Sequence, residues 1–125
     1  MESAQEFIQR KEEQYRKGRK VLAKDIGRKG KHVFTIEAWC FMPQSNYGEK
    51  VFVIERLRRE GIIGETVLNH VKPTDVEYRI GYYVIGRIGN KTGRWTWGQY
   101  CPFIPVGDFE KLIELAREKG VINDQ

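Results

Sequence analysis

Apolar and polar residues alternate most clearly between Tyr78 and Tyr100, and the rest of the chain reads as elements gathered around that stretch. Tyr78 to Ile88 is rich in aromatic and β-branched residues and holds no proline, which predicts a long strand. Asn90-Lys91-Thr92-Gly93 predicts a type I turn with Gly93 as a left-handed bulge residue, and Arg94 to Tyr100 predicts the returning strand, ended by Pro102. That turn sets Ile88 opposite Thr96, Arg87 opposite Trp97 and Ile85 opposite Gln99. One face then carries Tyr78, Ile80, Tyr82, Val84, Ile88, Thr96 and Tyr100 and is expected to be the core side. The other carries Arg79, Tyr83, Ile85, Arg87, Trp95, Trp97 and Gln99. Gly81, Gly86 and Gly98 within one hairpin suggest a bend, a bulge or the close approach of another group.

The remaining pattern supplies a helix at each end and further strands between. Ser3-Ala4-Gln5-Glu6 fits a capping box and predicts a helix from about residue 3 to 17, with a possible continuation to Ala23 that Gly18 interrupts. Ile8, Tyr15 and Leu22 form its narrow apolar stripe. Val33 to Phe41 predicts a strand with Phe34, Ile36, Ala38 and Cys40 on one face and Thr35, Glu37 and Trp39 on the other. Pro43 to Gly48 and Asn69 to Asp75 read as loops. Residues 50–58 are expected as a strand, followed by a turn at Glu60-Gly61 and a short strand from Ile62 to Leu68. The rival there is a pair of helices resembling a DNA-reading element, which Arg56, Arg58 and Arg59 would suit. After the stiff Pro102 to Pro105 segment, Asp108 is expected to cap a helix from Phe109 to Lys119. Phe109, Leu112, Ile113, Leu115 and Ala116 would form its buried side, with Gly120 as the stop and Val121 folding back. The fold class is therefore α+β: an antiparallel sheet of four or five strands with a basic amino-terminal helix and a carboxy-terminal helix packed on it.

Length and charge refine this picture. At 125 residues the chain is expected to be one domain, with a basic helical arm and loop over 1–32 and the sheet with its second helix over 33–125. No apolar run approaches a membrane span, and the amino terminus lacks the features of a signal peptide, so a cytoplasmic location is expected. The net charge of +5 is unevenly placed: residues 1–31 hold ten Lys and Arg against five acids, whereas the remainder is balanced. A polyanion would be drawn to that first quarter. Within it, Gly27-Arg28-Lys29-Gly30-Lys31-His32 sets cations between glycines, so Arg28, Lys29 and Lys31 are candidate phosphate contacts, although a lysine-rich connector has the same composition.

Candidate chemistry narrows further. Cys40 and Cys101 have no metal-like spacing, lie in apolar sequence and read as inert core thiols. His32 and His70 do not pair at ligand spacing, so no metal and no cofactor are expected. A nucleophilic trio of Cys40 or Cys101 with His70 and Glu37 can be drawn, as it can in most chains of this size. Glu37, Glu55 and Glu77 sit in expected strands, and an ion pair of Glu77 with Arg79 is the simplest account of that acid.

The run Tyr78-Arg79-Ile80-Gly81-Tyr82-Tyr83, then Trp95-Thr96-Trp97-Gly98-Gln99, Pro102-Phe103-Ile104-Pro105 and Asp108, resembles a pattern in short uncharacterised prokaryotic proteins. The resemblance covers roughly the last third of the chain and implies no activity; it marks Trp97-Gly98-Gln99 with the double-proline segment as a shared unit. The residues themselves suggest a non-enzymatic binding module for an anionic ligand with flat rings, nucleic acid first and a nucleotide second. Trp39, Tyr83, Trp95 and Trp97 would stack, Arg79, Arg87 and the 28–31 loop would neutralise phosphate, and Gln99 would read a base edge. A protein-interaction or inhibitor module using the same face is the alternative, and a small hydrolase or nuclease built on Glu37, Glu77 or His70 is the third reading.

Overall fold

The computed structural model describes residues 1–24, 30–66, 68 and 71–123. The chain is α+β: helix α1 (Ala4–Arg16), strands β1 (Lys20–Lys24), β2 (Lys31–Gln44), β3 (Tyr47–Ile63), β4 (Val76–Ile85) and β5 (Trp95–Trp97), then helix α2 (Val106–Glu118). The five strands form one antiparallel sheet in the order β1-β2-β3-β4-β5, each pairing with its neighbour in sequence.

β3 is the middle of this sheet. Residues 51–57 are all buried, because α1 covers one face and α2 the other. This explains why Val51-Phe52-Val53-Ile54 lacks polar alternation: a strand covered on both sides reads as a continuous apolar run. The helical alternative for this segment is excluded. The expected turn at Glu60-Gly61 is also absent, since β3 runs on to Ile63, with Glu60 as an extra residue between the pairs Phe34–Arg59 and Val33–Gly61.

A second bulge in β2 changes which side chains share a face. The pairs Ile36–Leu57 and Ala38–Arg56 leave Glu37 without an opposite number, so the alternation reverses across it. Phe34, Ile36, Trp39 and Phe41 therefore pack on the α1 face, and Ala38, Cys40 and Met42 on the α2 face. The expected single face of Phe34, Ile36, Ala38 and Cys40 is thus split.

Both ends of the chain depart from their expected boundaries. α1 has the capping box, with the Ser3 hydroxyl accepting from the Glu6 N–H at 3.1 Å and the Ser3 N–H donating to Glu6 Oε1 at 2.9 Å. It ends at Arg16, where Gly18 turns left-handed at φ 95°, and the chain continues as β1 rather than as helix. The boundary placed at residue 32 consequently falls inside the sheet. α2 begins earlier than expected: Pro105 is its N-cap, and Asp108 lies inside the first turn, accepting from the Ser45 N–H at 2.8 Å. That bond holds the Asp108 carboxyl below its usual range and ties α2 to the β2–β3 turn. Gly120 stops the helix at φ 74°, and Val121 is buried with its N–H on the Ala116 carbonyl. Leu112 and Ala116 are buried as expected, whereas Phe109 is 44% exposed.

Four steps of about 4.8 Å would hold the edges of a flat five-stranded sheet roughly 19 Å apart. Here side chains from β1 and β5 line the same cleft, because the sheet curls around α1.

Candidate anion-binding cleft

α1 presents Phe7, Lys11 and Tyr15 at intervals of four residues, so all three lie along one stripe of the helix. Phe7 and Tyr15 are buried, and Lys11 between them is drawn inward, its Nζ 4.9 Å from the Tyr83 ring centre. Beyond Gly18, the chain turns back so that Arg19 and Lys20 stand at the start of β1. Together with Val21, Arg79 of β4, Tyr83 and the β5 residues Trp95, Thr96 and Trp97, these side chains enclose a cleft of about 430 Å³.

A buried polar network forms its floor. Glu55 of β3 is fully buried, and its carboxylate accepts from the Tyr15 hydroxyl at 2.6 Å and from Arg79 Nε at 2.6 Å. The Tyr15 and Tyr83 hydroxyl oxygens are 3.0 Å apart. Since Tyr15 gives its one proton to Glu55, Tyr83 must be the donor in the second bond. Burial, reinforced by the Glu55 charge, pushes the Tyr15 hydroxyl far above the ordinary phenol range, and burial likewise raises Tyr83. Lys11 shifts the other way: burial lowers it first, and the positive charges of Arg19 and Arg10 lower it further.

The wall is aromatic. Trp95 stacks on Phe7 with centroids 4.6 Å apart and planes 18° apart, and its indole N–H donates to the Glu2 carbonyl at 2.9 Å. Trp97 meets Tyr83 edge-on at 5.0 Å, and the Arg79 guanidinium lies 4.6 Å from its ring centre. Trp97 can lie flat on β4 only because position 81 is glycine, where a Cβ would fall 2.4 Å from the indole. On the opposite face, Tyr82 covers Gly98 in the same way, a Cβ there falling 2.1 Å from its ring.

The cleft brings together four of the expected site residues: Arg79, Tyr83, Trp95 and Trp97. They share one face as expected, but α1 covers that face, so it is not an open platform. Tyr83 is in the core, and both tryptophans are half-buried. The expected pairing is also corrected. Tyr83 faces Trp97 and Ile85 faces Trp95, because residues 86–94 fold into a compact loop held by Gly86 N–H to Arg94 O and Gly93 N–H to Gly86 O, with a single 3-10 turn at Gly89–Lys91.

The other expected site residues lie elsewhere. Trp39 is edge-on to Tyr15 at 5.4 Å in the neighbouring core. Arg87 is exposed and pairs with Glu49, Gln99 is exposed beyond β5, and Lys31 is exposed at the start of β2. Arg28, Lys29 and His70 fall outside the described residues. The proposed acids do not converge: Glu37 is held by Arg56 and Arg58 at 2.7 Å each, while Glu77 pairs with Arg59, not with Arg79, on the other face. Cys40 is a buried thiol pushed up to about 11 by desolvation. Cys101 is exposed, contrary to the expectation of a core thiol, because it lies beyond β5 where the chain has left the sheet. Among the described residues no three His, Cys, Asp or Glu side chains gather to hold a metal ion, and no helix is long and apolar enough to cross a membrane.

Lys11, Tyr15, Arg19, Lys20 and Glu55 were not singled out from the sequence as parts of one site. The signal for Lys11 was its four-residue spacing from Phe7 and Tyr15. Glu55 stood out as a lone acid after four apolar strand residues. No protein-family model matches the chain, and comparisons with curated proteins and with solved structures find no match.

Proposed function

We propose that the protein binds a phosphate-bearing ligand, a nucleic-acid strand or a nucleotide, with a phosphate seated in the cleft between α1 and the curled sheet. The observation that carries this reading is the convergence of Lys11, Arg19, Lys20 and Arg79, drawn from a helix, its exit turn and two strands, around one aromatic-walled cavity. Arg79 and Lys20 have acidic partners, but Lys11 and Arg19 add positive charge that an anionic occupant would offset. The rings contribute shape and low polarity more than open stacking faces, because Phe7 covers Trp95 and Arg79 covers Trp97. A partner-protein module built on the same aromatic face has less support, since α1 already occupies that face.

Tryptophan fluorescence during titration with a short mixed-sequence single strand, at low and high salt, tests the proposal. Emission should change on binding, and affinity should fall steeply as salt rises, as it does when cations neutralise phosphates. The double substitution Lys11→Met and Arg19→Met should weaken binding about tenfold or more, while circular dichroism shows the fold retained. Binding that ignores both salt and the double substitution would remove this reading.

A further inference from the structure

The four cations of the cleft are not equivalent. Arg79 is already matched by Glu55, and Lys20 by Glu60 at 2.7 Å. Among the described residues, Lys11 and Arg19 have no carboxylate at ion-pair distance; they lie over the rings of Tyr83 and Tyr15, at 4.9 and 5.5 Å from the centroids. Glu55 is at ion-pair distance from neither: its oxygens bond Tyr15 and Arg79, and its charge reaches Lys11 only through space. The cleft therefore holds two positive charges without acidic partners, and one of them, Lys11, stands in the buried stripe of α1.

An internal phosphodiester brings a single negative charge. A phosphate monoester brings roughly two near neutral pH, with a second ionisation at about pH 6. On this charge balance we infer that the cleft is specific for a phosphate monoester, such as the phosphorylated end of a strand or a free mononucleotide, over the diester of a continuous backbone. The inference rests on the reading of the cleft as a phosphate site. Lys11 holds the monoester from the helix side, and Arg19 holds it from the mouth. The paired Arg79, fixed by Glu55 and flat against Trp97, forms the rigid wall behind them.

The test compares one labelled oligonucleotide in three forms, with a 5′-phosphate, a 3′-phosphate or hydroxyls at both ends, in the presence and absence of a nucleoside monophosphate competitor. At least one phosphorylated form should bind about tenfold or more tightly than the hydroxyl form, the scale of one further charge-assisted contact. The preference should shrink below about pH 6, as the monoester takes up a proton, and should vanish in Lys11→Met. Arg19→Lys, which keeps the charge, should retain most of it. Competition by the mononucleotide at matching strength identifies the free nucleotide as sufficient; competition by phosphorylated strands alone assigns the site to strand ends. Equal, salt-sensitive binding of all three forms would overturn the monoester inference while leaving the phosphate-site reading intact. Absence of salt-sensitive binding to any form would overturn both.

Discussion

The two faces of the sheet are covered by helices of equal length, yet they are built on different principles. Under α2, Leu112, Ala116 and Val121 meet Cys40, Phe52, Ile54 and Tyr82, with charge at the two ends of the sheet: Asp108 on the Ser45 N–H at one and Arg56 at the other. There, Arg56 reaches Glu37, the Tyr78 hydroxyl and the carbonyls of Val121 and Asn123, fastening the tail beyond α2. Under α1, the buried carboxylate of Glu55 and two tyrosine hydroxyls sit in the middle of the packing, among Phe7, Phe41, Val53 and Trp95. Both faces carry buried charge, but under α2 Arg56 and Asp108 tie chain segments together, whereas under α1 Glu55 fixes Arg79 at the mouth of a cleft. The contrast teaches that α2 closes the core, whereas α1 both closes it and presents a charged opening.

Substitutions on the two sides should separate these roles. The largest effect is expected from Leu112→Ala on the α2 side, where a fully buried side chain is removed; urea unfolding should show a loss of about 3 kcal/mol. Strand binding by the folded fraction should stay unchanged, and a loss of affinity there would break the division of labour. Tyr15→Phe on the α1 side keeps the ring but removes the bond to Glu55 and the acceptor for Tyr83. It should cost about 1.5 kcal/mol by the same measurement, the range of a hydrogen bond to a charged group. A neutral result would mean that the polar floor contributes nothing to stability.

The smallest effect belongs to Glu37, which the Arg58 hydrogen bond, more than that from Arg56, holds below its ordinary value of 4.5. A lowered folded-state value means that the stabilisation is fully present above the unfolded value and is lost as the pH falls through the folded one. Thermal melts between about pH 6 and about pH 3 should therefore show a decline that is shallower in Glu37→Gln. Parallel curves for the two proteins would show that this pair is not coupled to folding.

What could be read from the sequence followed from parity. The pairing of β4 with β5 was displaced by four residues, an even number, so Arg79, Tyr83, Trp95 and Trp97 remained on a common face despite the wrong turn. One extra residue at Glu37 was enough to defeat the same reasoning in β2, although Phe41 stood out of phase with Cys40 as a trace of it. β1 was hidden because Lys20-Val21-Leu22-Ala23-Lys24 is too short to show a period, and Leu22 also completes a seven-residue helical spacing. Local pattern does not say which face a distant helix will cover. Arg79, Tyr83, Trp95 and Trp97 share the cleft without Arg87 and Gln99, and their face was consequently expected on the wrong side of the solvent boundary.

The contact of Trp95 with Glu2 and Phe7 joins the last strand to the first helix, a separation of 93 residues for the indole hydrogen bond. The sheet itself is a succession of neighbours, each strand able to add to the one made just before it. The seat for Phe7 is made by Tyr83 of β4 and Trp95 of β5, so α1 completes its packing only against strands distant in sequence. Closure of so long a loop is slow to be rewarded. The charged cleft accordingly depends on contacts that span most of the chain, and a chain cut before β5 would lack its aromatic wall.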